Sequence, residues 1–102
     1  MRIQVLTFRA DGLSERDMIR QSAIVALALR DFAGVRESSS LTDPRTAVFG
    51  AVVVWDDAAS LDRFRHSELY ARLMLHPHLA DASDQEVAVD VHAEPWKLLL
   101  AA

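Results

Sequence analysis

The stretch 47-AVFGAVVVW-55 decides the fold. Its residues alternate between two faces, with Ala47, Phe49, Ala51, Val53 and Trp55 on one and Val48, Gly50, Val52 and Val54 on the other. Valine and the aromatic residues suit a pleated strand better than a helix. Both faces are apolar, so both require cover. The helices of one small chain can cover a single face of its sheet. A second copy of the chain is the simplest cover for the other, which predicts a homodimer. Val53 is taken as a member of the outward set.

Working toward the N-terminus, Asp43-Pro44-Arg45 marks a turn, because proline presets φ at the first central position. Val35 to Leu41 reads as a polar strand, with Val35, Glu37, Ser39 and Leu41 on one face and Arg36, Ser38 and Ser40 on the other. Before it, Met18, Ser22, Val25, Leu29 and Phe32 form a helical stripe that Ile19, Ala23, Ala26 and Leu27 widen. Ser14 with Asp17 resembles a capping box at its start, and Gly34 is a natural stop at its end. Asp11-Gly12 is a turn signal. Arg2 to Phe8 alternates as a first strand, with Ile3 and Val5 on one face, Leu6 and Phe8 on the other, and Gln4 and Thr7 as the polar members.

Toward the C-terminus, Asp57 is a good N-cap for a helix whose inner edge is Leu61 and Phe64. Ser67 caps a further short helix bearing Leu69, Tyr70, Leu73 and Met74, which ends at His76-Pro77 because the residue before proline avoids helical geometry. After a polar loop, Glu86 to His92 alternates as a strand, with Val87, Val89 and Val91 inward. Pro95 closes that strand, and Trp96 with Leu98, Leu99 and Leu100 forms an apolar tail that needs cover. The predicted order is strand, helix, strand, strand, helix, strand. This is an α+β fold, a ferredoxin-like βαββαβ antiparallel sheet with helices on one face, in a single domain over residues 1–102.

Composition narrows the function. The chain has 102 residues, 51% hydrophobic and 25% charged, with no cysteine and a net charge of −4. Disulfides and cysteine-based metal sites are excluded. The acidic balance argues against nucleic acid as a partner. No apolar run approaches the ~20 residues of a membrane span, and the N-terminus lacks the basic-then-apolar order of a signal peptide, so a cytoplasmic protein is expected. There is no dinucleotide fingerprint, P-loop or catalytic triad.

The segment 43-DPRTAVFGAVVVWDDAASLDRFRHSEL-69 resembles the YdhR-like branch of the antibiotic-biosynthesis-monooxygenase superfamily, whose members form dimeric α/β barrels. The matching positions are Asp43, Pro44, Thr46, Gly50, Trp55, Asp57, Leu61, Phe64, Ser67, Glu68 and Leu69. Ala51 stands where the branch has a second glycine, and the part from Tyr70 onward, with His76-Pro77-His78, departs from its pattern. Haem-degrading relatives carry an Asn on the first strand, a Trp on the second helix and a His ten residues later. The corresponding positions here are Thr7 or Phe8, Phe64 and Met74, so haem degradation is not expected.

The resemblance implies a cofactor-independent monooxygenase acting on a small aromatic or polyketide-like substrate. Such chemistry needs an apolar pocket, a base that generates an electron-rich anion, and polar groups that hold it. Histidine is the usual base near neutral pH. His76 and His78, where the second helical region breaks, come first, followed by His66 and then His92. Tyr70 is the candidate hydrogen-bond donor to a substrate oxygen. Trp55, Phe49 and Phe64 are candidate walls for a flat substrate, and Arg72 a candidate partner for an anionic group. His76 and His78 have the spacing of a metal pair but no third ligand nearby, so no metal or other cofactor is expected. A non-oxidative cyclase or isomerase, and a non-catalytic small-ligand-binding or stress-associated protein, are the alternatives.

Overall fold

The structure is a computed structural model and describes residues 1–9, 12–75 and 80–88. Along the chain run β1 (Arg2–Arg9), α1 (Glu15–Arg30), β2 (Val35–Asp43), β3 (Val48–Trp55), α2 (Ala58–Arg65), α3 (Glu68–Met74) and β4 (Ala80–Ala88). The strands form one antiparallel sheet in the order β2-β3-β1-β4. Two βαβ halves interleave in it, which is the ferredoxin-like arrangement.

Each helix starts where a short polar side chain takes up an unpaired backbone N–H. Ser14 Oγ accepts from Asp17 N at 3.1 Å, Asp57 Oδ1 from Ser60 N at 2.8 Å, and Ser67 Oγ from Tyr70 N at 3.2 Å. The N–H of Ser60, then its hydroxyl, holds the Asp57 carboxyl below its ordinary range. α1 stops at Arg30, and Phe32 N donates to Leu29 O at 3.1 Å, so the helix ends before Gly34 is reached. Gly34 instead turns the chain into β2 at φ +91°, and a Cβ there would collide with the Ser60 side chain. Glycine is needed twice over, for the backbone angle and for the space.

The core lies between the helices and one face of the sheet. Leu6, Phe8, Phe49, Ala51, Val53 and Trp55 meet Met18, Val25, Leu29, Leu61 and Phe64, all buried. Full burial contributes roughly 1.5–3 kcal/mol for each large apolar side chain. Val53 thus faces the helices; the outward members of β3 are Val48, Gly50, Val52 and Val54. The period-two pattern sorts residues into two sets but does not say which set faces the helices. Ile19 and Leu27 are exposed, so the stripe of α1 that meets the sheet is narrower than the sequence suggested. A bulge at Arg36 also breaks the alternation of β2, so that Val35 shares the inner face with Ser38 rather than with Glu37. β3 begins at Val48 because Ala47 adopts a left-handed φ of 56°.

The last strand is the largest departure. It spans Ala80–Ala88 rather than Glu86 to His92. Val87 pairs with Ile3 on the open face of the sheet and is 51% exposed, whereas Asp84 and Glu86 lie opposite Leu6 and Gln4 on the helix face. Carboxylates occupy the inner positions because cations and donors meet them there. Val89, Val91, His92, Pro95 and the tail from Trp96 lie outside the described residues. No helix among the described residues is long and apolar enough to cross a membrane.

Candidate functional site

On the helix face of β1, the apolar pair Leu6 and Phe8 gives way to Gln4, which is fully buried. Its carboxamide is bonded at both ends. Trp55 Nε1 donates to Gln4 Oε1 at 3.0 Å, and Gln4 Nε2 donates to Asp84 Oδ1 at 3.0 Å. The register explains the meeting: Gln4 lies opposite Val53 and Glu86, so Trp55 and Asp84 are its diagonal neighbours on the same face.

Helices α2 and α3 complete the cluster. Arg65, the last residue of α2, reaches Asp84 with two nitrogens, Nε to Oδ2 and Nη2 to Oδ1, each at 3.0 Å. Its third nitrogen, Nη1, donates to Glu86 Oε2 at 3.0 Å. Tyr70 on α3 donates its hydroxyl proton to Asp84 Oδ2 at 2.8 Å. Arg2 Nε lies 3.5 Å from Glu86 Oε1. Asp84 therefore accepts from Gln4, Arg65 and Tyr70, and its side chain keeps 10% of its exposure. The bidentate guanidinium–carboxylate fork is among the stronger polar contacts in proteins.

These contacts fix the protonation states. Burial pushes the Asp84 carboxyl up, but hydrogen bonds from Arg65, Gln4 and Tyr70, with the Arg65 charge, more than offset it, and the group ends below its usual range. The Tyr70 hydroxyl is raised, first by burial and then by its bond to the Asp84 carboxylate. Arg65 is held in its charged form, chiefly by the hydrogen bonds to Asp84. Near neutral pH the site thus presents an ionised Asp84, a protonated Tyr70 and a charged Arg65. Asp84 in this state is a poor base, and Tyr70 is suited to hydrogen bonding rather than to removing a proton.

An aromatic wall borders the cluster. Trp55 stacks on Phe64 at 5.3 Å between ring centroids and 29° between planes, and Phe64 meets the Tyr70 ring edge-on at 5.3 Å. Phe32 meets both Trp55 and Phe64 edge-on. Of the residues singled out in the sequence, the structure thus gathers Trp55, Phe64 and Tyr70. Phe49 lies six residues up β3 from Trp55, about 20 Å along the strand, and packs on Phe8 at 5.7 Å. Arg72 is exposed and paired with Glu68 at 2.7 Å. His66 caps the end of α2; its side chain is 78% exposed, and its Nδ1 lies 2.8 Å from the Asp62 carbonyl oxygen. His76 and His78 lie outside the described residues. Thr7 faces the open side of the sheet and Phe8 lies in the core, so the carboxamide that β1 directs at the cluster is Gln4.

The sequence did not single out Gln4, Arg65, Asp84 or Glu86. Gln4 left a signal, as the one polar residue on an otherwise apolar inner face between Arg2 and Phe8. Arg65 and the two acids left none, because their roles depend on a strand placed elsewhere. A separate surface depression of about 440 Å³, lined by Arg16, Asp17 and Arg20, lies on exposed turns of α1 and does not involve the cluster.

No family model matches the sequence, and no curated protein is similar to it in sequence. Solved structures share the fold. A candidate antibiotic biosynthesis monooxygenase from Deinococcus radiodurans is 15% identical, with a TM-score of 0.69 over 92% of this chain and 97% of that one. A variant of SnoaB, a cofactor-independent oxygenase from Streptomyces nogalater, is 14% identical, with a TM-score of 0.67 over 91% and 97%. The haem degrader MhuD from Mycobacterium tuberculosis, with two haems bound in its active site, is 16% identical, with a TM-score of 0.64 over 89% and 99%. The chain therefore has the fold of the antibiotic biosynthesis monooxygenases, in an α+β, ferredoxin-like form.

Proposed function

We propose that this protein is a cofactor-independent monooxygenase of the YdhR-like kind, a cytoplasmic homodimer that oxidises a small aromatic or polyketide-like molecule carrying a hydroxyl group. The observation that carries this is the meeting of the Trp55–Phe64 aromatic wall with the Tyr70–Asp84–Arg65–Gln4 hydrogen-bonded cluster on one face of the sheet. Its likeness in fold to SnoaB supports the oxidative chemistry. Trp55 and Phe64 are fully buried, so a flat ring would meet the partly buried Tyr70 at the edge of the aromatic cluster, where a substrate hydroxyl would be oriented by hydrogen bonding.

The reaction asks for a base that removes a proton from a phenol or an activated carbon. The resulting anion reacts with dioxygen; for a methylene between aromatic rings this gives a hydroperoxide, which loses water to leave a carbonyl. One oxygen atom enters the product and the other leaves as water, so no external reductant is consumed. His76 and His78 follow α3 in sequence and are the proposed bases. Tyr70, whose hydroxyl proton is directed at Asp84, accepts a hydrogen bond from the substrate hydroxyl and so orients it.

The test is oxygen uptake with anthrone, whose central methylene fits this chemistry, in the presence of a metal chelator. Uptake faster than the spontaneous reaction, one dioxygen per quinone formed, supports the proposal. A rate identical with and without protein rejects it. Substrate conversion without oxygen uptake would point instead to the non-oxidative cyclase or isomerase.

A further inference from the structure

The three helices are not held alike. α1 buries Met18, Ser22, Val25, Ala26 and Leu29, and α2 buries Ser60, Leu61 and Phe64, whereas α3 buries no residue. Leu69, Tyr70, Leu73 and Met74 lie on the core only partly covered, and Leu75 just beyond them is 80% exposed. Among the described residues, one side-chain hydrogen bond ties α3 to the sheet, the 2.8 Å bond from the Tyr70 hydroxyl to Asp84 Oδ2. The ion pair of α3, Arg72 with Glu68, lies within the helix. What α3 covers is aromatic. The Tyr70 ring stands edge-on to Phe64 at 5.3 Å, and Phe64, stacked on Trp55, is fully buried.

A segment with few buried contacts opens at a lower free energy than the core it lies on. α3 also has a defined place to turn. His66 and Ser67 are the two residues between α2 and α3, and the Ser67 N–H and hydroxyl both donate to the Phe64 carbonyl oxygen, at 2.9 and 2.6 Å. Those bonds hold Ser67 to the end of α2, and α3 can swing beyond them. The other half of the contact stays in place, because Asp84 keeps two bonds from Arg65 and one from Gln4 when Tyr70 leaves. We propose that α3 is a lid, hinged at His66–Ser67 and latched by the Tyr70–Asp84 hydrogen bond, and that its opening uncovers the Phe64 ring. Lids of this kind admit a ligand to a site that is closed at rest. The motion belongs to the chain without ligand, so it stands apart from the oxygenase reading and holds equally for a binding protein.

The test is native-state amide hydrogen exchange on the intact protein, followed by NMR at pH 7. In α3 the reporters are the Ala71 N–H, bonded to Ser67 O at 3.2 Å, and the Leu75 N–H, bonded to Ala71 O at 3.1 Å. Relative to unstructured rates, they should exchange at least about a hundredfold faster than Val25 and Leu29 in α1. Sub-denaturing urea should leave their exchange unchanged, because opening the lid exposes little surface. Tyr70→Phe keeps the ring and removes the latch. It should speed both reporters about tenfold, the worth of one hydrogen bond to a charged group, still without urea dependence. Hydroxyl-radical labelling, read residue by residue by mass spectrometry, should rise severalfold at Phe64 in that variant and stay unchanged at Phe8 and Phe49. Reporters in α3 with the rate and urea dependence of Val25 and Leu29 would overturn the lid, because α3 then opens only when the whole chain unfolds. Unchanged α3 exchange in Tyr70→Phe would overturn the latch, and faster exchange without added labelling of Phe64 would overturn the uncovering. Should Tyr70→Phe fail to fold, the urea dependence of the unaltered protein decides the lid alone.

Discussion

Gln4→Leu removes the piece that joins β1, β3 and β4 at the cluster. Gln4 is fully buried and spans Trp55 Nε1 and Asp84 Oδ1 at 3.0 Å each. In the variant the indole N–H is left without its acceptor, at a cost of about 1–3 kcal/mol for a buried unsatisfied donor. Asp84 also loses a bond to a charged acceptor, worth roughly 1.5–3 kcal/mol. That loss falls at the low end, because Arg65 and Tyr70 still serve the carboxylate. Leucine contributes apolar burial of about 1 kcal/mol in return. The net is a destabilisation of about 1.5–3.5 kcal/mol, a large share of the roughly 5–15 kcal/mol total for a small domain. For a chain near a hundred residues this lowers Tm by about 10–20 °C. Urea unfolding followed by circular dichroism at pH 7 should show a lower midpoint with an unchanged slope. A double-mutant cycle with Tyr70→Phe should give a coupling of about 0.5–3 kcal/mol, since both residues donate to one carboxylate. A Gln4→Leu protein with the midpoint of the unaltered chain would refute the bonded cluster as drawn.

Three further outcomes follow from the same geometry. Val54→Asp, on the open face of the sheet, should convert the proposed dimer to a folded monomer in analytical ultracentrifugation, whereas Val53→Asp, on the buried face, should unfold the chain; a Val54→Asp dimer would place the interface elsewhere. Asp84, whose folded pKa lies below the ordinary 3.8, stabilises the protein above that pH and loses the contribution as pH falls below it, while Tyr70, raised from 10.0, loses its contribution as pH rises above 10.0; Asp84→Asn should flatten the acid limb of the stability profile and Tyr70→Phe the alkaline limb. Once turnover is established, His76→Gln or His78→Gln should lower it by about 10²–10⁴ with folding intact, and full activity in both variants would remove these histidines as the base.

The fold was legible because its strongest signals are local. Alternation in β3, the caps at Ser14, Asp57 and Ser67, and the turn around Asp43-Pro44 each follow from short-range sterics and hydrogen bonding, and together they leave few topologies open. The inner face was not legible, because which face of a strand is covered depends on where distant helices settle. That is why Val53 and Val87 exchange roles relative to expectation. The glycine pattern carried real information of this kind. A Cβ at Gly50 would collide with the Leu6 carbonyl oxygen, so close approach between β1 and β3 is made at Gly50, and Ala51 fits in the place of a second glycine because its side chain turns into the core beneath α1. The candidate site was legible only in its aromatic part. Trp55, Phe64 and Tyr70 stand out in a chain with four phenylalanines, two tryptophans and one tyrosine, but Asp84 and Arg65 are ordinary charges in sequence and acquire meaning only when β4 is shifted to begin at Ala80.

That shift bears on why the cluster exists. An edge strand with two acids on its inner face is a poor choice if packing alone decided the sequence. Replacing a buried ion pair with apolar residues of similar size is often neutral or stabilising, and the neighbouring positions Leu6, Phe8 and Phe64 show that this layer readily accepts apolar side chains. The polar set is moreover not isolated. It runs without a break from the indole of Trp55 through Gln4 and Asp84 to the hydroxyl of Tyr70 and the guanidinium of Arg65. Each member is oriented by the next, and the chain ends at groups that solvent can reach. A network with every buried polar atom satisfied and one end open has the form of a device for holding a side chain in place, with Tyr70 as the side chain held. The proposed function, rather than stability, accounts for Gln4, Asp84 and Glu86 being polar where Leu6 and Phe8, on the same face of β1, are apolar.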